Sequence, residues 1–188
     1  ISNEIRYEDV LYKLYAQIAG IDQSAKRKGS LTDVDKKKLL AVRHFLAQNN
    51  NLHVVKKPIH DVNHITSYIE NDTDIVAIDG AYLMAKSPDW KDLTQVSNTL
   101  RAISNNTGVA IGGVIQANRS AAEKTSLESV AGSDSFTQDA DILLGVNNAG
   151  AIVGGRSVNI MSSKNRHGVP IQFTVNFKLP VIYSWEDS

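Results

Sequence analysis

The stretch Asp74–Met84, DIVAIDGAYLM, decides the fold. Ile75, Val76, Ala77 and Ile78 form a short apolar run with β-branched residues, closed by Asp79 and Gly80. Such a run predicts a strand buried on both faces. In an α/β protein a strand of this kind carries its last residue to the rim of a sheet, where ligands bind. A carboxylate there suits a hydrated Mg²⁺ bound to phosphates, because Mg²⁺ takes oxygen ligands and keeps several waters. That is the physical content of a Walker B segment. The same residues also describe a plain strand that stops at a turn-forming Asp-Gly pair, so the neighbouring sequence has to decide.

Downstream, Trp90–Asn106 reads as a long helix with Leu93, Val96, Leu100 and Ile103 on one face. Val109–Ile115 is the next buried strand and ends at Gln116. Residues 117–135 are polar and rich in small side chains, which predicts a loop or broken helix. Asp141–Val146 is another strand, and a Gly- and Asn-rich connection spans Asn147–Arg156. Ser157–Met161, Ile171–Phe177 and Val181–Trp185 follow as strands without helices between them.

Upstream, Ile1 can end a strand, with Glu4 in the turn after it. Tyr7–Gly20 is a helix that Gly20 can stop. A polar, basic stretch over Asp22–Ser30 leads to Thr32, which caps a second helix with Asp35 three residues on, a short-armed capping box. Leu39, Leu40, Val42, Phe45 and Leu46 are expected to form its buried face. Leu52–Val55 reads as a short strand, and Asp61 caps a helix over Val62–Glu70. Alternating strands and helices followed by hairpins predict an α/β fold: a mostly parallel sheet flanked by helices, with an antiparallel extension at the carboxyl-terminal end.

With 188 residues the chain is expected to be one domain with a good core. Hydrophobic residues make up 42% and charged residues 21%, the balance of a globular protein. No run reaches membrane-spanning length, so a membrane partner is not expected. The absence of cysteine excludes a disulfide framework and a thiolate metal site. A net charge of zero argues against a chain that coats nucleic acid over its whole surface, while leaving room for a local DNA-binding loop. The basic runs Lys26–Lys28 and Lys36–Lys38 read as solvated faces. His60 and His64 have a spacing that suits a metal on a helix, but no third ligand accompanies them. Trp90 and Trp185 are expected to pack in the core or at an edge.

Polar residues stand just past several apolar strands: Glu4, Asp79, Gln116, and the pair Lys164 and Arg166. Parallel strands bring such ends to one rim. Each type has a task in phosphoryl transfer. A glutamate orients or polarises attacking water, an aspartate holds Mg²⁺ through water, a glutamine senses a γ-phosphate, and an arginine neutralises developing charge. A lone polar residue at a strand end is usually just solvated; an ordered series is harder to assign to chance.

In this order the residues resemble the replicative DNA helicases of the DnaB type and their phage relatives, over nearly the whole chain. ISNEI resembles the segment of the catalytic glutamate, here Glu4, and DIVAIDGAYLM resembles the Walker B segment, here Asp79. GVAIGGVIQANRS is similar to the strand ending in the phosphate-sensing glutamine, here Gln116, with Arg119 beyond it. SDSFTQDADILLGV carries the Gln-Asp-Ala-Asp segment at Gln138–Asp141. NIMSSKNRHG carries the Lys-x-Arg pair, Lys164 and Arg166, which in the family reaches the neighbouring subunit's nucleotide as an arginine finger. The resemblance implies a RecA-like fold, ATP and Mg²⁺ as cofactors, a hexameric ring around single-stranded DNA, 5′–3′ translocation and duplex unwinding. It also implies a bacterial or phage-infected cytoplasm, with primase and a helicase loader as further partners. Loops at Arg119–Asp134 and Asn147–Gly155 are expected to face the DNA, with Gly132, Ser133 and Asp134 offering backbone N–H groups to phosphate and Arg119 and Lys124 adding charge.

One family feature is missing. No G-x-x-x-x-G-K-S/T loop occurs in the sequence, and that loop cradles the phosphates. The expectation is therefore a partial domain spanning 1–188, truncated at its amino-terminal side, whose first strand and P-loop lie elsewhere, for instance on a separate fragment. The alternative is a degenerate or split RecA-like subunit that joins an active ring without hydrolysing ATP. On either reading the chain alone is expected to be inactive.

Overall fold

In the computed structural model, residues 1–49, 51–115, 134–152, 155–178 and 181–187 are described. The helices are α1 (Tyr7–Ala19), α2 (Ala25–Lys28), α3 (Asp33–Gln48), α4 (Trp90–Thr107) and α5 (Asp134–Asp139). The strands are β1 (Ile75–Asp79), β2 (Ala110–Val114), β3 (Ile142–Ile152), β4 (Gly155–Asn165), β5 (Gln172–Lys178) and β6 (Val181–Asp187). They fall into two compact units, one of Ile1–Tyr7 with Val55–Leu143, the other of Glu8–Val54 with Leu144–Ser188.

The first unit is built on β1 and β2, which pair in parallel from Ile75 opposite Ala110 to Asp79 opposite Val114. Helix α4 supplies the crossover that parallel neighbours require. Its Leu93, Val96, Leu100 and Ile103 are buried, as their spacing predicts, and Gly108 ends it in the left-handed conformation. The other edge of β1 is taken by the amino-terminal segment. Ser2 bridges Asp79 in parallel; Asn3 N–H donates to the Asp79 carbonyl at 3.0 Å, and Asp79 N–H donates to the Ile1 carbonyl at 2.9 Å. Val76, Ile78, Ala81 and Met84 share a core with Ile59, Val62 and Ile65, the last two from a 3₁₀ turn over Val62–Tyr68. Asp61 caps that turn by accepting from Asn63 N–H at 3.0 Å.

Three expectations are corrected here. Strand β1 is buried on one face, not two: Val76 and Ile78 point into the core, while Ile75 is 69% exposed. Among the described residues the covering elements lie on one side, and alternation sends every second side chain away from them. Leu52–Val55 is irregular rather than a strand; Val55 packs against the core without joining a sheet. Trp90 opens α4 on the solvent side, 62% exposed, with the Lys91 ammonium 5.8 Å from its ring.

In the second unit α1 stops at Gly20, whose φ of 67° lets Ile21 N–H return to the Ala16 carbonyl at 2.8 Å. The short α2 forms inside the basic stretch. The capping box at α3 is complete: Thr32 accepts from Asp35 N–H at 3.1 Å, and Asp35 accepts from Thr32 N–H at 3.0 Å. The expected buried face of α3 is not found. Leu39, Val42 and Leu46 are half-buried, and Leu40 and Phe45 are exposed, Phe45 at 60%.

The remaining strands form a four-stranded sheet in the order β3-β4-β5-β6, antiparallel from β4 to β6. Val158 and Val175 face each other across β4 and β5 and are buried. The opposite face is polar, with Ser157 bonded to Asn176 and Thr174 to Asn159. The expected Asn147–Arg156 connection is largely strand, since β3 continues to Ile152 and β4 begins at Gly155. Its Asn and Gly residues give a local irregularity instead, where Asn148 accepts from Gly150 N–H at 3.2 Å. Among the described residues no helix is long and apolar enough to cross a membrane.

Candidate active site

Strand β1 carries Asp79 to its carboxyl end. The chain then bends at Gly80, with φ 75° and ψ 48°, into a 3₁₀ turn over Ala81–Met84. Ala81 and Met84 are buried and anchor that turn in the core, while Tyr82 stands at its partly exposed side. The amino-terminal segment ends at the same level. Ser2 lies opposite Asp79, so Glu4, two residues on, comes to rest over Gly80. A Cβ on Gly80 would stand 2.8 Å from Glu4 Cγ, closer than atoms tolerate. Glycine is needed here both for the left-handed turn and for the approach of Glu4.

The two segments hold each other crosswise. Ser2 Oγ, from the Glu4 segment, donates to Asp79 Oδ2 at 2.8 Å and accepts from Ile5 N–H at 3.2 Å. Tyr82 Oη, from the Asp79 segment, donates to Glu4 Oε1 at 2.9 Å. That bond, with some burial and the negative charges of Glu4 and Asp79, raises the Tyr82 hydroxyl above the usual phenol range. Asn3 ties the segment down further, accepting from Ile59 N–H at 2.8 Å. Sequence reading missed Ser2 and Tyr82. Their signals were the alternation that puts Ser2 beside the strand end and the third position after Asp79, which a single tight turn brings back.

The donors gathered here are hard oxygens, from Asp79, Glu4 and Ser2. Among the described residues no group of three or more His, Cys, Asp or Glu side chains is placed to cage a metal. The set fits Mg²⁺ held chiefly by waters and phosphate oxygens, with one carboxylate contributing through water. A carboxylate beside it, such as Glu4, can accept a hydrogen bond from water and orient it.

A sequence model of the family described as the DnaB-like helicase C terminal domain matches residues 1–182. The chain belongs to this family. Comparison with curated proteins finds no match. The parallel β1-β2 pair with its crossover helix, together with the antiparallel strands, is the RecA-like α/β fold of this helicase domain. Replicative helicases of this family use ATP with Mg²⁺.

Among the described residues, the predicted site residues Glu4 and Asp79 are brought to one place. Val114, the end of β2, is in register with Asp79, so β2 leaves the sheet at the same rim. Gln116 lies outside the described residues, as do Arg119, Lys124, Gly132 and Ser133. Asp134 is the first residue of α5. Helix α5 is secured within the first unit at its other end: Ser97 Oγ donates to Asp139 Oδ2 at 2.7 Å, and Arg101 donates to the Asp139 carbonyl. Lys164 and Arg166 stand together in the second unit. Lys164 is half-buried near the end of β4, and Arg166 is exposed in the following turn. Asn165 closes that turn by donating to the Val169 carbonyl at 2.7 Å.

Proposed function

We propose that the chain is the ATPase part of a hexameric replicative DNA helicase, which couples ATP hydrolysis to 5′–3′ translocation on single-stranded DNA and unwinding. The observation that carries this reading is the meeting of Glu4 and Asp79 at one strand end, held by the Ser2 and Tyr82 hydrogen bonds. Glu4 orients the water that attacks the γ-phosphate, and Asp79 holds Mg²⁺ through water. Gln116 reports the γ-phosphate to the loop that follows it. Lys164 and Arg166 act on the nucleotide of the neighbouring subunit, where the guanidinium offsets charge in the transition state. Bound Mg²⁺–ATP supplies the phosphoryl group and the neutralising metal charge.

DNA binding falls to the segments Arg119–Asp134 and Asn147–Gly155. Arg119 and Lys124 supply charge, and Gly132, Ser133 and Asp134 supply backbone donors, giving salt-sensitive and sequence-tolerant binding. Both units belong to one RecA-like domain, residues 1–188, in a ring that meets primase and a loader in the cytoplasm of a bacterium or phage-infected cell. The alternative reading is a split or degenerate RecA-like subunit that binds an active ring or a P-loop fragment without hydrolysing ATP itself.

The test is DNA-stimulated ATPase activity of the full-length protein. Glu4→Gln and Arg166→Ala each abolish turnover while nucleotide binding persists. Turnover in Glu4→Gln would remove the basis of the reading, and loss of nucleotide binding in Arg166→Ala would return that residue to its own subunit's site. The 188-residue chain alone hydrolyses no ATP.

A further inference from the structure

We propose that Tyr82 is a positioning residue for Glu4, resting on the assignment of Glu4 to water activation above. Three observations carry it. The Tyr82 hydroxyl donates to Glu4 Oε1 at 2.9 Å across a large sequence separation. Tyr82 sits in a 3₁₀ turn whose flanking Ala81 and Met84 are locked in the core, so its backbone is fixed relative to β1. Gly80 leaves no Cβ where Glu4 Cγ lies, so the glutamate stem is seated against the same turn.

Chemically, the phenol is a donor aimed at one carboxylate oxygen. It fixes the rotation of the carboxylate that accepts the hydrogen bond of the attacking water. The carboxylate plane is then set by the Walker B turn and not by the amino-terminal segment alone. Ser2 does the reverse for Asp79, so a displacement of either segment is passed to the other segment's carboxylate. Tyr82 touches no reacting atom; it acts through Glu4. Phenylalanine keeps the ring and the fold but drops the donor, and misplacement of a water-orienting group by about 1 Å costs on the order of 100-fold in rate.

The experiment is steady-state ATPase kinetics of full-length Tyr82→Phe, paired with ¹⁹F titration of the fluorotyrosine-labelled protein, in which Tyr82 is the resonance lost in Tyr82→Phe. Expected are a kcat lowered roughly 10- to 100-fold, a KM for ATP unchanged within about twofold, and a Tyr82 resonance that titrates at lower pH when Glu4 is replaced by Gln. An unchanged kcat, or a raised KM at constant kcat, would overturn the positioning role. A Tyr82 titration indifferent to Glu4→Gln would overturn the hydrogen bond itself. Full turnover in Glu4→Gln would instead defeat the underlying assignment of Glu4, whatever Tyr82 does.

Discussion

At Gly80 backbone conformation and site geometry meet in one residue. Its φ of 75° is costly for any residue with a side chain, by about 1–2 kcal/mol. An added methyl would also press on Glu4 Cγ and stand 3.1 Å from Leu83 Cδ1. Gly80→Ala should therefore lower stability by roughly 1–2 kcal/mol and displace Glu4. Full-length Gly80→Ala is expected to fold, bind nucleotide and lose at least about 10-fold in ATPase rate. Thermal melting beside steady-state kinetics checks this; full activity with a lowered melting point would confine Gly80 to the turn. The Asp-Gly pair was legible in sequence as a turn. The crowding was not, because it comes from Glu4, a residue with no local relation to Gly80.

At the scale of elements, the capping box of α3 was readable from Thr32 and Asp35, since all its atoms lie within one turn. What covers α3 was not readable. Periodicity marks an apolar stripe, but a stripe does not specify the surface it meets, and Phe45 and Leu40 remain exposed. The same holds for β1, whose four apolar residues suggested two buried faces and found one. The cap also gives α3 an acid dependence. Hydrogen bonds from the Thr32 side chain and backbone hold the Asp35 carboxyl below the usual aspartate range. A carboxyl depressed on folding contributes stability that is fully present above its unfolded value, near 3.9, and is lost as pH falls through the lower folded value. Amide exchange at the start of α3 should accelerate, relative to its intrinsic rate, as pH is lowered from 5 through about 3.9. Thr32→Ala should cost about 1 kcal/mol at neutral pH and flatten that dependence. An unchanged profile in Thr32→Ala would show that the box does not hold the helix start.

Across the whole molecule, the order of strands and helices was largely legible, because apolar runs and their breakers are local signals. The assortment of strands was not: the antiparallel strands hydrogen-bond among themselves as a separate sheet, and which segment borders β1 depends on a pairing between distant parts of the chain. That pairing makes a prediction of its own. Asn3 N–H and Asp79 N–H are both satisfied across the junction of the amino-terminal segment with β1. One opening event should expose both, so their native-state hydrogen exchange should report a common free energy, below that of the β1-β2 amides. Separate values would mean that the segment peels residue by residue.

The bridge between Ser2 and Asp79 also sets a timetable for the nascent chain. The segment of Glu4 is made before the strand that seats it, with a separation of 77 residues between Ser2 and Asp79. At elongation rates of about 5–20 residues per second, this gap lasts roughly 4–15 s. During it the ribosome delivers Glu8–Val54, residues that belong to the other unit. The segment must therefore wait for its partner strand while residues of another unit are made. Its polar sequence, Ser-Asn-Glu, suits a strand that has to remain soluble before it has anywhere to go.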